Sequence, residues 1–69
     1  MERKPVSSTN VASVGYDRQT MTLEVEFTTG SIYQYFDVPE QVYQELLNAA
    51  SVGQFLNQQV KHSYRYVQI

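Results

Sequence analysis

The period of the hydrophobic pattern changes at Val38-Pro39, and that change constrains the fold more than any other feature. Before it, apolar and polar residues alternate. Met21, Leu23, Val25 and Phe27 fall on one side of residues 21–28, and Thr22, Glu24, Glu26 and Thr28 on the other. A period of two gives a strand one buried and one solvated face. After it, Val42, Leu46, Ala49 and Ala50, widened by Tyr43 and Leu47, form the stripe of an amphipathic helix. Proline suits the first helical position, where its missing N–H has no partner, and it holds the preceding residue extended. The spacing predicts strand up to Phe36 and helix over 39–50, with Pro39 as the first helical residue and Glu40 near the positive helix end.

Two more alternating runs precede the switch. In residues 11–17, Ala12, Val14 and Tyr16 share a face opposite Val11, Ser13, Gly15 and Asp17. A glycine inside a strand points to a bulge or to close approach by a neighbour. In residues 31–36, Tyr33 and Tyr35 lie opposite Ile32, Gln34 and Phe36. Neither face is plainly polar, which predicts a strand covered on both sides. Asp17-Arg18-Gln19-Thr20 and Thr29-Gly30 fit the turns between these runs. The expected fold is α+β: a three-stranded antiparallel meander followed by two helices.

The second helix, over about 52–60, is expected to be short because Gly53 weakens it. Ser51 is spaced to cap it, with Gln54 three residues on. Val52, Phe55, Leu56 and Val60 supply its apolar side. Residues 61–69 alternate again, Arg65, Val67 and Ile69 against Tyr64, Tyr66 and Gln68, which suggests a short C-terminal strand returning to a sheet edge. Residues 1–10 read as a partly flexible lead-in, with Val6 docking onto a single domain spanning 1–69.

Sixty-nine residues without a cysteine must build their core from packing, alone or with a partner subunit. Disulfides and thiolate zinc sites are excluded. No apolar run approaches the ~18 residues of a membrane span, and no apolar segment follows the basic N-terminus as in a signal peptide. A cytoplasmic protein with no membrane partner is the expectation. Seven acids against five bases give a net charge of −2, without the global basic excess of a phosphate-tracking domain.

Two constellations remain. Tyr33 and Tyr35 form either a platform on which bases stack or part of the core beneath a helix. Their spacing fixes that they share a face and leaves open which. Lys61, His62, Tyr64, Arg65 and Tyr66 interleave cations with rings, as nucleic-acid contacts do, or else form an ordinary solvated strand face. His62 is the only histidine, with no partner at ligand or catalytic spacing. Ser7, Ser8, Ser13 and Asp17 lack the nucleophile elbow that would join them to His62 in a triad. Gly15, Gly30 and Gly53 are too dispersed to cradle a phosphate. Glu24 and Glu26 read as solubilising groups on a solvated face. No catalytic, metal or cofactor site is expected. The expected function is a non-catalytic binding module, for RNA or tRNA, with protein interaction or self-association as the alternative.

Ser7-Ser8, Ser13-Val14-Gly15-Tyr16-Asp17, Leu23-x-Val25-x-Phe27, Gly30-x-x-Tyr33-x-Tyr35, Val38-Pro39, Ser51-x-Gly53-x-Phe55-x-Asn57 and Tyr64 follow one another through nearly the whole chain. In order and spacing this pattern resembles the KTSC domain, which occurs alone in bacteria and at the C-terminus of some lysyl-tRNA synthetases. The resemblance implies no catalytic residues. Through the synthetase association it suggests RNA binding.

Overall fold

The computed structural model describes residues 1–69. Strands β1 (Lys4–Pro5), β2 (Val11–Asp17), β3 (Thr22–Phe27), β4 (Ile32–Tyr35) and β5 (Tyr66–Gln68) form one antiparallel sheet in chain order. Helix α1 (Glu40–Leu47), helix α2 (Val52–Phe55) and a π-helical turn (Leu56–Val60) intervene between β4 and β5. The α+β class and the central meander are as expected, but the sheet has five strands rather than three. β5 is the anticipated C-terminal strand. β1 lies within the segment expected to be a lead-in, pairing Lys4 with Val14 and Pro5 with Ser13. Two residues, one of them proline, carry no alternation that a sequence could display.

Register decides what the sheet buries. Val14 lies opposite Val25, Tyr16 opposite Leu23, Val25 opposite Tyr33, and Leu23 opposite Tyr35. Directly opposed residues share a face. These side chains pack with Val38, Tyr43, Leu46, Val52, Leu56 and Val60 into one cluster. Leu23 and Leu46 are fully buried, each contributing about 1.5–3 kcal/mol relative to exposure. Tyr33 and Tyr35 therefore face the helices. Tyr16 stacks on Tyr43 at 5.1 Å between ring centroids, and its hydroxyl donates to the carbonyl of Val38, pinning the strand-to-helix joint.

Three details depart from the sequence pattern. A bulge between Val11 and Ser13 leaves Ala12 unpaired, so Val11 joins Val14 in the core and the face assigned to Ala12 shifts. Gly15 serves a close approach: a Cβ there would lie 2.5 Å from the carbonyl oxygen of Glu2. Helix α1 begins at Glu40, with Pro39 still extended, and stops at Leu47 before Ala49 and Ala50. The side-chain amide of Asn48 donates to the Gln44 carbonyl at 2.9 Å and closes its last turn. The Ser51 cap forms as spaced, accepting from the Gln54 N–H at 3.2 Å.

The opposite sheet face carries a polar network rather than a second apolar layer. Arg3 donates to Ser13 Oγ at 3.0 Å and pairs with Glu24. Gln34 donates to Glu24 at 2.8 Å, and Ser13 to Glu26 at 2.9 Å. Glu24 is only 5% exposed, so it is a buried, bonded carboxylate and not the solvated group the alternation suggested. β4 is accordingly covered by apolar groups on one side and lies beside this network on the other.

Candidate ligand-binding site

The sheet's helix-facing side ends in an aromatic cluster at its β5 edge. Tyr66 lies opposite Tyr35 across the β4–β5 ladder, which puts its ring on the same side as Tyr33 and Tyr35. Tyr33 is the hub. Its ring centroid lies 5.7 Å from Phe27 edge-on, 6.4 Å from Tyr35 nearly parallel, and 5.8 Å from Tyr66 at a tilt. Such offset and edge arrangements suit the charge distribution of aromatic faces and rims.

The helical segment supplies the other wall. The N–H of Lys61 bonds to the Leu56 carbonyl at 2.9 Å, five residues back, closing the π-helical turn. Single π-helical turns are frequent at functional sites, and this one brings Leu56, Asn57 and Lys61 to the aromatic cluster. The loop before β2 closes the third side. Asn10 sits against Gly53 of α2, where a Cβ would come within 2.3 Å of Asn10 Oδ1, so any larger residue there must displace the Asn10 side chain. That Oδ1 already accepts from the Ser8 hydroxyl at 3.1 Å. These groups enclose a pocket of about 220 Å³.

Its polar groups are open. Lys61 belongs to none of the chain's ion pairs. Tyr35 is 3% exposed and lines the pocket, yet its hydroxyl is neither hydrogen-bonded within the protein nor sealed from solvent. Burial, then the neighbouring Tyr33 and Tyr66 phenols, push its pKa above the ordinary tyrosine value. It is a protonated donor at neutral pH. The lining holds no carboxylate, histidine or serine. It can take a flat ring on the aromatic walls and an anion at Lys61.

The two constellations read from sequence are thus partly one. Tyr33, Tyr35, Lys61 and Tyr66 converge on the pocket, while His62, Tyr64 and Arg65 do not line it. His62 is exposed in the turn after the π-helical segment. Tyr64 is half-buried against the core. Arg65 points to the other side of the sheet, pairing with Asp37 at 3.2 Å and lying 5.7 Å over the Phe36 ring. Arg65 immediately precedes β5 in extended chain bonded to Phe36, so alternation puts its side chain on the face opposite Tyr66. Phe27, Asn10, Gly53, Leu56 and Asn57 were not singled out as site residues. Gly53 was the available signal, because a glycine inside a helix costs stability unless something approaches its backbone. No group of His, Cys, Asp or Glu side chains is arranged to hold a metal ion. No helix is long and apolar enough to cross a membrane.

Comparison with known proteins adds relatives to this geometry. The KTSC domain family matches residues 7–64. An uncharacterised protein of Stutzerimonas stutzeri is 44% identical over 70 residues, covering 100% of this chain and 99% of its own length. A lysine–tRNA ligase of Nostoc punctiforme is 39% identical over 66 residues, 96% of this chain but only 12% of the ligase. The crystal structure of a KTSC domain protein from Yersinia pestis superposes with a TM-score of 0.96 at 37% identity, covering 99% of this chain and 96% of that one.

Proposed function

The chain belongs to the KTSC domain family, and on that premise we propose that it is a non-catalytic, cytoplasmic binding module for unpaired RNA of the kind tRNA loops and ends present. The observation that carries this is the meeting of Tyr33, Tyr66 and the unpaired Lys61 in one pocket. Single-stranded RNA is held by stacking its bases on aromatic rings while cations take its phosphates. Tyr66 is 58% exposed, so a stacked ring has access to it. A relative that is a lysine–tRNA ligase supports the same class of partner. With a net charge of −2, stacking and one phosphate contact must carry the affinity rather than a broad basic surface.

An NMR titration with hexauridylate and with tRNA, at low and at moderate salt, tests the proposal. Ring signals of Tyr33 and Tyr66 and the Lys61 amide should move in saturable fashion. Tyr66→Ser should weaken binding about fivefold to a hundredfold, the range of one lost stacking contact. Unmoved tyrosine signals at low salt would remove RNA binding at this pocket.

Self-association is the second function with an observation behind it. The outer edge of β5 has no strand beside it, and Tyr66, Val67 and Ile69 are all exposed there. Light scattering over a concentration series measures it.

A further inference from the structure

Resting on the RNA-binding reading, we infer that the pocket is a one-nucleotide site: it takes a single stacked base with a single phosphate, so a nucleoside monophosphate fills it as fully as a strand does. Its volume of about 220 Å³ lies below the roughly 300–1,000 Å³ of sites for drug-sized ligands and leaves room for one ring system. The hydroxyls and amides of its lining each give or accept a hydrogen bond. Ring, size and charge therefore set what it holds, and the base edge does not.

The rest of the molecule offers no place for a second nucleotide. Of the six tyrosines and three phenylalanines, only Tyr66 is mainly exposed. Tyr16 and Tyr43 stack on one another, and Phe36 lies under Arg65 on the other face of the sheet. A neighbouring base has no free ring to stack on. The cations are as sparse. Of the five lysines and arginines, the three arginines each pair with a carboxylate: Arg3 with Glu24, Arg18 with Glu40 at 2.8 Å and Arg65 with Asp37 at 3.2 Å. Lys4 lies in β1, at the end of the sheet farthest from β5. His62, next in the chain, does not line the pocket. Lys61 is left as the one lysine or arginine beside the pocket that can take a phosphate. With a net charge of −2, the surface beyond it gives the further phosphates of a strand no attraction.

The test is an NMR titration of the full chain with uridine 5′-monophosphate and with 5′-phosphorylated hexauridylate. It is run at about pH 8, above the range in which histidines ordinarily take up a proton. The monophosphate should move the Tyr33 and Tyr66 ring signals and the Lys61 amide as hexauridylate does, and should displace it. Hexauridylate should bind no more than about sixfold more tightly, because its nucleotides are equal places to bind, whereas a second stacked base would add about fivefold to a hundredfold more. The logarithm of its affinity should fall with that of salt concentration at a slope of about 0.7, the value for one phosphate neutralised on a single strand. Lys61→Gln should flatten that slope, and Tyr66→Ser should weaken both ligands alike. A gain with length above about tenfold, or a slope of about 1.4 or more, overturns the one-nucleotide site and leaves RNA binding standing. So does hexauridylate binding without monophosphate binding. Monophosphate binding without hexauridylate binding keeps the site and removes RNA as its ligand. If neither binds, both fall together.

Discussion

Glu24 is the residue on which the outer sheet face turns. Its carboxylate accepts from Gln34 and pairs with Arg3, and those contacts hold its pKa below the ordinary 4.5, the Gln34 bond most and the Arg3 contacts next, against the opposing effect of burial. A carboxyl whose folded pKa is depressed stabilises the fold above the unfolded value. That contribution fades as pH falls from about 4.5 through the lower folded value. Glu24→Gln should therefore cost about 1–3 kcal/mol at pH 7, since it removes charged hydrogen bonds from a buried site. Urea unfolding at pH 7 and again near pH 3 measures this, and the gap between parent and variant should narrow at the lower pH. A gap of equal size at both would mean that shape rather than charge is what the site requires. Alternation assigned Glu24 to the right face but could not reveal its burial. Its cover comes from Arg3, which is 21 residues away in sequence, and nothing local announces that contact.

Among the elements, those set by local chemistry were legible and those set by pairing were not. The alternation of β3, the strand-to-helix switch at Val38-Pro39 and the Ser51 cap are written within a few residues each. The bulge at Ala12 and the two residues of β1 exist only because of what lies beside them. The pocket shows the same division. Its tyrosines could be paired by counting, whereas its third wall depends on Asn10 meeting Gly53. That meeting predicts a coupled pair of substitutions. Gly53→Ala alone pits better helix propensity, worth about 1 kcal/mol, against displacement of the Asn10 side chain. In an Asn10→Ala background the clash is gone, so Gly53→Ala should stabilise by up to about 1 kcal/mol. Thermal unfolding of the four proteins of this cycle checks it, with a coupling of at least about 0.5 kcal/mol expected for residues in contact. Additive effects would mean that Asn10 moves aside freely and that the loop before β2 is not held by α2.

The whole molecule has two sheet edges of different character. The β1 edge ends in Lys4-Pro5, where a proline withholds a donor and a lysine discourages close approach. The β5 edge carries neither: Tyr66, Val67 and Gln68 are uncharged and exposed. The ladder to β4 fixes which groups point outward. Phe36 N–H bonds to the Arg65 carbonyl and Ile69 N–H to the Ile32 carbonyl, each at 2.9 Å, so residues 65 and 69 face inward. By alternation, the N–H and C=O of Tyr66 and Gln68 face away from the sheet. A second copy can therefore add antiparallel about a twofold axis at Val67, with Tyr66 of each chain opposite Gln68 of the other. Three residues give an interface well under the ~1,000 Å² of a stable complex, so the association should be weak. The scattering mass should rise above 8.0 kDa only as concentration approaches the millimolar range. Gln68→Pro deletes an outward N–H without touching the bonds to β4, so it should hold the protein at the monomer mass with unchanged thermal stability. It should also leave hexauridylate binding intact, because Gln68 lies outside the pocket lining. A parent that stays at 8.0 kDa throughout would mean that brevity alone protects this edge. A Gln68→Pro protein that still gains mass would move the contact elsewhere on the molecule.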